Sequence, residues 1–223
     1  MMYMTTPTSV HRILPQRAIA MLTLTAALIV SLAPSRFLAP AWADDPMSVV
    51  RTTVDQSLSV LRDNQTPLAQ RQDKLRQIVS ATFDFTEMAK SALGYHWKQI
   101  SPDQQQEFTT AFVAFIEDSY LSKINDYRGQ QVTFLKVTSD GPQYAQVNTD
   151  IVQPGGKDPI HVDYRLIQEG NTWKIYDVTV DAISIIANYR NQFNRVMNNQ
   201  GYATLISDLK SKQAALAASL ANH

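Results

Sequence analysis

No cysteine occurs in the 223 residues. That absence excludes a disulfide framework, a thiol nucleophile, a cysteine-held zinc ion and a lipidated cysteine at the head of an exported chain. An exported domain of this kind must be held by its own core, which a chain of this length can build. A basic surplus is missing as well. Lys+Arg and Asp+Glu each count 20, for a formal net charge of +0, whereas a nucleic-acid binder shows a basic excess. Neither a P-loop nor a G-x-S-x-G elbow is present, and Gly155-Gly156 reads as a turn because no helix follows it. Beyond the first 43 residues only His96, His161 and His223 remain, far apart and without a helical partner four residues on. No ordered ligand spacing emerges, so no metal and no cofactor is expected. His161 reads as a surface neighbour of Asp163.

What is present begins with a leader. His11, Arg12 and Arg17 form a basic segment, and Ala18–Ala33, "AIAMLTLTAALIVSLA", is an uncharged apolar run. It is short for a membrane span, which needs about 20 residues. The tripeptide Ala41-Trp42-Ala43 then supplies an A-x-A cleavage pattern. Residues 1–43 are therefore expected to be a cleaved secretory signal, and 44–223 a single domain exported to the periplasm and monomeric there. The leader holds Arg12, Arg17 and Arg36 and no acid. The remainder carries 17 basic and 20 acidic side chains, a net of −3, which again argues against nucleic acid.

The first half of the domain reads helical. Asp45-Pro46, Thr66-Pro67 and Ser101-Pro102 each place a capping residue before a proline at the first helical position. Ser101 with Gln104 makes a capping box. Asp84 with Glu87 opens a short helix that ends at Gly94. The longest helix is expected from Pro102 to about Arg128. Phe108, Phe112, Phe115, Ile116, Tyr120, Ile124 and Tyr127 form its apolar stripe, and Asp103, Gln105, Thr110 and Asp118 its solvent side.

From Gln131 the period changes to two. Strands are expected over "QVTFLKVTS", "QYAQVNTDIV", "PIHVDYRLIQ" and "TWKIYDVTV", separated by Asp140-Gly141-Pro142, Pro154-Gly155-Gly156 and Glu169-Gly170-Asn171. Short links imply an antiparallel meander. Ala145, Val147, Ile151, Ile160, Val162, Tyr164 and Leu166 fall on its apolar face, and His161, Asp163 and Arg165 on the other. Two helices follow, Asp181 to about Gln200 with Asp181 as cap, and Tyr202 to about Leu220. The fold class is α+β: a four-stranded antiparallel sheet covered on one face by helices. Asp177 shares the parity of Trp173 and Ile175. It is either a buried general base or a strand-end acid that binds backbone amides.

Two stretches, "FDFTEMAKSALGYHWKQISPDQQQEFTTAFVAFIEDSY" (83–120) and "VDYRLIQEGNTWKIYDVTVDAISIIANYRNQFNRVMNNQGYATLISDL" (162–209), resemble the MlaC family, the toluene-tolerance auxiliary proteins. The resemblance runs over most of residues 46–212. It rests on Asp84-Phe85, Leu93-Gly94 with Trp97, the Gln104–Phe108–Phe112 helix, and Trp173–Val178 leading into Ser184, Asn188-Tyr189-Arg190 and Phe193. It is weakest around Pro154–Pro159. It implies a periplasmic phospholipid carrier rather than an enzyme, with an apolar cavity between sheet and helices. It also implies two partners that lipid passes between, to the benefit of outer-membrane asymmetry: an outer-membrane lipoprotein–porin complex and an inner-membrane ABC transporter with a lipid-binding ring subunit. A cousin group is associated with hopanoid lipids. A protein-binding adaptor and a small enzyme on a cone-shaped scaffold are the other readings of such a chain.

The physics of that cargo is demanding. A phospholipid carries roughly 30 methylenes at about 0.8 kcal/mol each, on the order of 25 kcal/mol to be hidden from water. The lining implied by the resemblance comes from four places. Met88, Leu93 and Trp97 follow Asp84. Phe112, Phe115, Ile116 and Tyr120 lie on the long helix. Val147, Val162, Tyr164, Leu166 and Ile175 lie on the sheet, and Ile183, Ile186, Tyr189 and Phe193 on the helix after it. The same stripes would serve equally as packed core. Arg190 could meet a phosphate or make a structural pair, and the latter is expected. Arg71, Lys74, Arg76, Lys98 and Lys123 offer basic surface for docking.

Overall fold

The computed structural model describes residues 45–121 and 126–221. Four helices lead: α1 (Pro46–Arg62), α2 (Leu68–Thr82), α3 (Phe85–Leu93) and, after a 3-10 turn at Gly94–Gln99, α4 (Pro102–Leu121). The sheet follows as β1 (Gln131–Ser139), β2 (Tyr144–Val152), β3 (Ile160–Glu169), β4 (Thr172–Val180) and β5 (Ile183–Ser184). Then come α5 (Ile185–Gln200) and α6 (Tyr202–Ala221). Strand order is β1-β2-β3-β4-β5, all neighbours antiparallel. The architecture is α+β, with a fifth short strand added to the expected four. The calls on residues 1–43 and on Lys123 and Ile124 lie outside the described residues.

Local chemistry sets most of the boundaries. Asp45 Oδ2 accepts from the Ser48 amide at 3.3 Å with Pro46 at the first helical position. The capping box at α4 is closed in both directions, Gln104 N to Ser101 Oγ at 3.2 Å and Ser101 N to Gln104 Oε1 at 3.0 Å. Asp84 Oδ1 accepts from Glu87 N at 2.8 Å to open α3, and Gly94 ends it at φ 57°. The expected cap at Thr66 is not formed. Thr66 turns back to Asp63, whose Oδ1 takes the Gln65 and Thr66 amides at 3.0 Å each, and α2 starts without a side-chain cap. The Thr66 hydroxyl is the chief reason that the Asp63 carboxyl sits below its ordinary range.

Two further expectations are corrected. The last helical residue described in α4 is Leu121, and Tyr127 is not helical. Asp118, assigned to the solvent side, is buried. It accepts from Arg76 Nη2 at 3.1 Å and from Gln213 Nε2 at 2.8 Å, which tie α2 and α6 to α4.

A fourth correction concerns the end of the sheet. Asp181 does not cap a helix. With Ala182 it forms a two-residue hairpin between Val180 and Ile183, both residues at positive φ (45° and 65°), the arrangement of a type I′ turn. Asp181 Oδ1 accepts from the His161 amide at 3.0 Å and the Asp181 amide returns to the His161 carbonyl at 2.9 Å. His161 pairs across the sheet with Asp150, not with Asp163. An L-residue in left-handed backbone costs about 1–2 kcal/mol, which glycine avoids at some entropic expense. Ala182→Gly should therefore raise stability by roughly 0.5–1 kcal/mol and Ala182→Val should lower it. The check is a shift of the urea midpoint at constant m-value.

Among the described residues the apolar interior falls into three clusters. The largest is helical: Met88, Ala89, Ala92, Leu93, Phe108, Ala111, Phe112, Ile116, Ile186, Phe193, Leu205, Ile206 and Leu209. Its centre is aromatic, with the Phe112 ring 5.6 Å from Phe108 and edge-on to Phe193 and Tyr189 at 5.7 and 5.8 Å. The second joins Val50 and Val54 of α1 to Val147, Leu166 and Ile175 of the sheet. The third is small, Leu75 and Leu121 with Val60, Leu61, Leu68, Ile78 and Leu220 packed against them.

Candidate functional site: an apolar cavity at the seam of the clusters

A cavity of about 330 Å³ opens between the apolar face of the sheet and α2, α3 and α4. Leu75, Arg76 and Val79 of α2 line it, with Phe83, Phe85 and Met88 around the start of α3. Ile116, Glu117, Tyr120 and Leu121 of α4 face Ile151, Val162, Val178 and Val180 of the sheet, and Ile185 closes one end. Its volume is at the lower end of ordinary ligand sites, about 300–1,000 Å³. Its lining is aliphatic and aromatic carbon nearly throughout, with charge confined to Arg76 and Glu117.

The sheet reaches this cavity through an irregularity that side-chain periodicity does not reveal. β3 and β4 slip by one residue between Arg165 and Leu166, so that Leu166 opposes Ile175 while Arg165 opposes Asp177. Tyr176 is the extra residue of a bulge. Ahead of it Ile175 points into the second cluster. Behind it the parity has flipped, and Val178 and Val180, opposite Tyr164 and Val162, face the cavity. The flip also removes Asp177 from the face where parity placed it. Asp177 is buried, but its carboxylate accepts from Ser184 Oγ at 2.6 Å and from the Ile186 amide at 3.2 Å, with Arg165 Nη1 at 3.8 Å. Ser184 Oγ in turn caps the Ala187 amide at 2.9 Å. The acid thus satisfies orphan donors at the start of α5, where negative charge is also favoured by the helix dipole. Of the two readings of Asp177, the geometry realises the amide-binding one.

Arg190 is structural too. Its Nε donates to the Ser91 carbonyl at 2.6 Å, at the C-terminal end of α3. A Cβ at Gly94 would meet its Cδ at 3.3 Å. Arg76, proposed as docking surface, is held by Asp73 and Asp118 at 3.1 Å each.

A profile match to the family described as "MlaC protein" covers residues 51–211. The chain belongs to the MlaC family. Among its relatives is the intermembrane phospholipid transport system binding protein MlaC of Haemophilus influenzae, 23% identical over 172 residues, covering 74% of this chain and 80% of that one. Another is the toluene tolerance protein ttg2D of Pseudomonas putida, 27% identical over 164 residues, or 71% and 76% of the two chains. A phospholipid-binding protein from Ralstonia solanacearum, solved in complex with a phospholipid, superposes with a TM-score of 0.70 at 25% identity. It covers 78% of this chain and 99% of its own.

Within this MlaC-family fold the sequence candidates divide. Met88, Ile116, Tyr120 and Val162 stand in the cavity wall. Leu93, Phe112, Ile186 and Phe193 are buried in the helical cluster, with Trp97, Phe115 and Tyr189 packed against it. Val147, Leu166 and Ile175 are buried in the second cluster beside Tyr164. Ile183 is 65% exposed on the β5 hairpin, and its successor Ile185 reaches the cavity instead. Loss of water pushes the Tyr164 and Tyr120 phenols up to about 12, with Tyr189 and Asp177 adding a smaller contribution at Tyr120. The wall residues not anticipated include Leu75 and Val79, whose i, i+4 spacing on α2 carried the signal, and Val178 and Val180, hidden by the bulge.

The charged end of the cavity titrates. Burial raises the Glu117 carboxyl, opposed by its bond from Ser80 Oγ (3.3 Å) and by Arg76 (4.0 Å), while Asp118 adds repulsion. A carboxyl whose folded pKa lies above its unfolded value binds more protons folded, so stability falls as pH rises from the unfolded pKa through the folded one. Relative to Glu117→Gln, the wild-type protein should lose stability as pH rises through that window and be flat above it. Parallel urea titrations between pH 4 and pH 8 check this, and a slope of opposite sign would contradict it.

Proposed function

We propose that this chain is a periplasmic phospholipid shuttle, which takes up lipid whose tails enter the cavity and leave their headgroup at its mouth. The observation that carries the reading is the cavity itself: an opening walled by carbon from sheet and helices, within a fold shared with a protein that holds a phospholipid. Carbon walls of this kind suit acyl chains and offer little to a polar substrate. Supporting features are the basic segment, apolar run and A-x-A pattern within residues 1–43, read as a secretory leader, and the lack of any helix, among the described residues, long and apolar enough to cross a membrane. On this reading the cargo moves between an inner-membrane ABC transporter with a lipid-binding ring subunit and an outer-membrane lipoprotein–porin complex, and the activity is transport without catalysis. Intact-mass measurement of exported protein should give an N-terminus at Asp44. Native mass spectrometry of protein purified from cells tests the cargo: retained phospholipid is the expected result, and protein that emerges free of lipid under gentle conditions would refute the proposal.

A further inference from the structure

We propose that a second cleft, between the end of α1, the start of α2 and the link into β1, is a phosphate-binding site. It encloses about 740 Å³, and three arginines from three separate segments line it: Arg62, Arg71 and Arg128. No Asp or Glu stands among its described lining residues. One neighbouring carboxylate, Asp63, is engaged by the Gln65 and Thr66 amides and the Thr66 hydroxyl. Tyr127 fixes two of the guanidinium groups, taking a hydrogen bond from Arg62 Nε on its hydroxyl at 3.1 Å and from Arg128 Nη1 on its carbonyl at 2.9 Å. Arg71 Nε is buried and has no hydrogen-bond acceptor among the described residues, an arrangement that favours an added one.

Arg62 and Arg71, from two separate helices and with no acid among the described lining residues, present guanidinium forks that suit a tetrahedral oxyanion, whose oxygens accept such donors in pairs. The cleft is also one side chain away from the apolar cavity. Leu61 lines the cleft and packs against Leu75 and Leu121, which line the cavity. A phosphodiester at the head of a lipid whose tails lie in the cavity is therefore the natural source of the anion, and this part of the inference rests on the carrier reading. Free phosphate is the other source with the same chemistry.

The experiment compares wild-type protein with Arg62→Gln/Arg71→Gln, each stripped of lipid and re-exposed to vesicles of phosphatidylglycerol or diacylglycerol with matched acyl chains. The expected result is a roughly tenfold fall in the ratio of retained phosphatidylglycerol to diacylglycerol in the variant, with diacylglycerol uptake unchanged. A second arm titrates inorganic phosphate into lipid-loaded wild-type protein and follows the backbone amides of Arg71 and Tyr127. Saturable shifts that vanish in the variant assign the site to free phosphate, with the headgroup elsewhere. An unchanged lipid ratio together with no phosphate binding overturns the site. Wild-type protein that retains neither lipid refutes the carrier reading, while the phosphate arm still decides the cleft. Should the double variant fail to fold, Arg71→Lys keeps the charge but removes the fork. An unmoved 31P resonance of the bound lipid together with unaltered phosphate binding in that variant would equally overturn the proposal.

Discussion

Val162→Glu should fold and yet leave the cell without phospholipid. Val162 is buried in the middle of the sheet, but what it faces is the cavity rather than a packed neighbour. A carboxylate there can keep water in the empty protein. Against acyl chains it cannot, and burying it without a partner costs several kcal/mol, enough to lower lipid retention by more than about a hundredfold. The matched control is Val147→Glu. Val147 belongs to the same face of the same sheet, but it is fully buried within the second cluster, where no cavity stands ready to hydrate a charge. That variant should fail to fold. Far-ultraviolet circular dichroism with native mass spectrometry on both proteins decides the matter, and folded Val162→Glu carrying a normal lipid load would sink the placement of the site.

Phe112→Ala should cost about 3–5 kcal/mol of stability, the range for losing a fully buried phenyl ring and leaving a void. The ring is completely buried and touches the rings of Phe108, Tyr189 and Phe193. The fraction that folds should bind lipid with wild-type stoichiometry, because the ring is filling and not wall. Tyr120→Ala should do the reverse, with little loss of stability but weaker lipid retention, since Tyr120 is half exposed and lines the cavity. Chemical denaturation and lipid quantification on the pair measure both quantities. If Phe112→Ala retained its stability and lost its lipid, the ring would have to face cargo.

Those contrasts mark how far the amino-acid pattern reached. Period-two alternation located β1 and β4 to the residue, because turn residues bracket both strands. The capping box at Ser101 and the left-handed stop at Gly94 were equally legible, since each is a short-range device. What escaped was long-range or backbone-borne. Asp118 looks like solvent surface until Arg76 and Gln213, 42 and 95 residues away, close on it. The bulge at Tyr176 adds a residue without disturbing the alternating letters, so the face assigned to Asp177, just beyond it, was inverted. Wall and filling could not be separated at all from spacing. Both require large apolar side chains at helical intervals, and they differ only in whether another side chain arrives opposite.

Phe83 has a position that bears on how such a molecule could change over time. It is packed against both of the larger apolar clusters, pairs with Ile175 in a lone parallel bridge, and borders the cavity. The described interior is thus a set of separately packed bodies, and the cavity lies at the joint between them. Enlarging a hole inside one close-packed body forfeits contacts on all its sides, whereas widening a joint sacrifices only the contacts that cross it. On the carrier reading proposed above, durability and cargo choice then reside in largely different residues of one chain, with Leu75, Met88 and Ile116 serving both. Substitutions deep in a cluster should alter how long the protein survives, and on the proposed placement of the site substitutions along the joint, at Phe83, Tyr120 or Val178, should alter what it carries. Lineages are free to retune the second trait while holding the first constant.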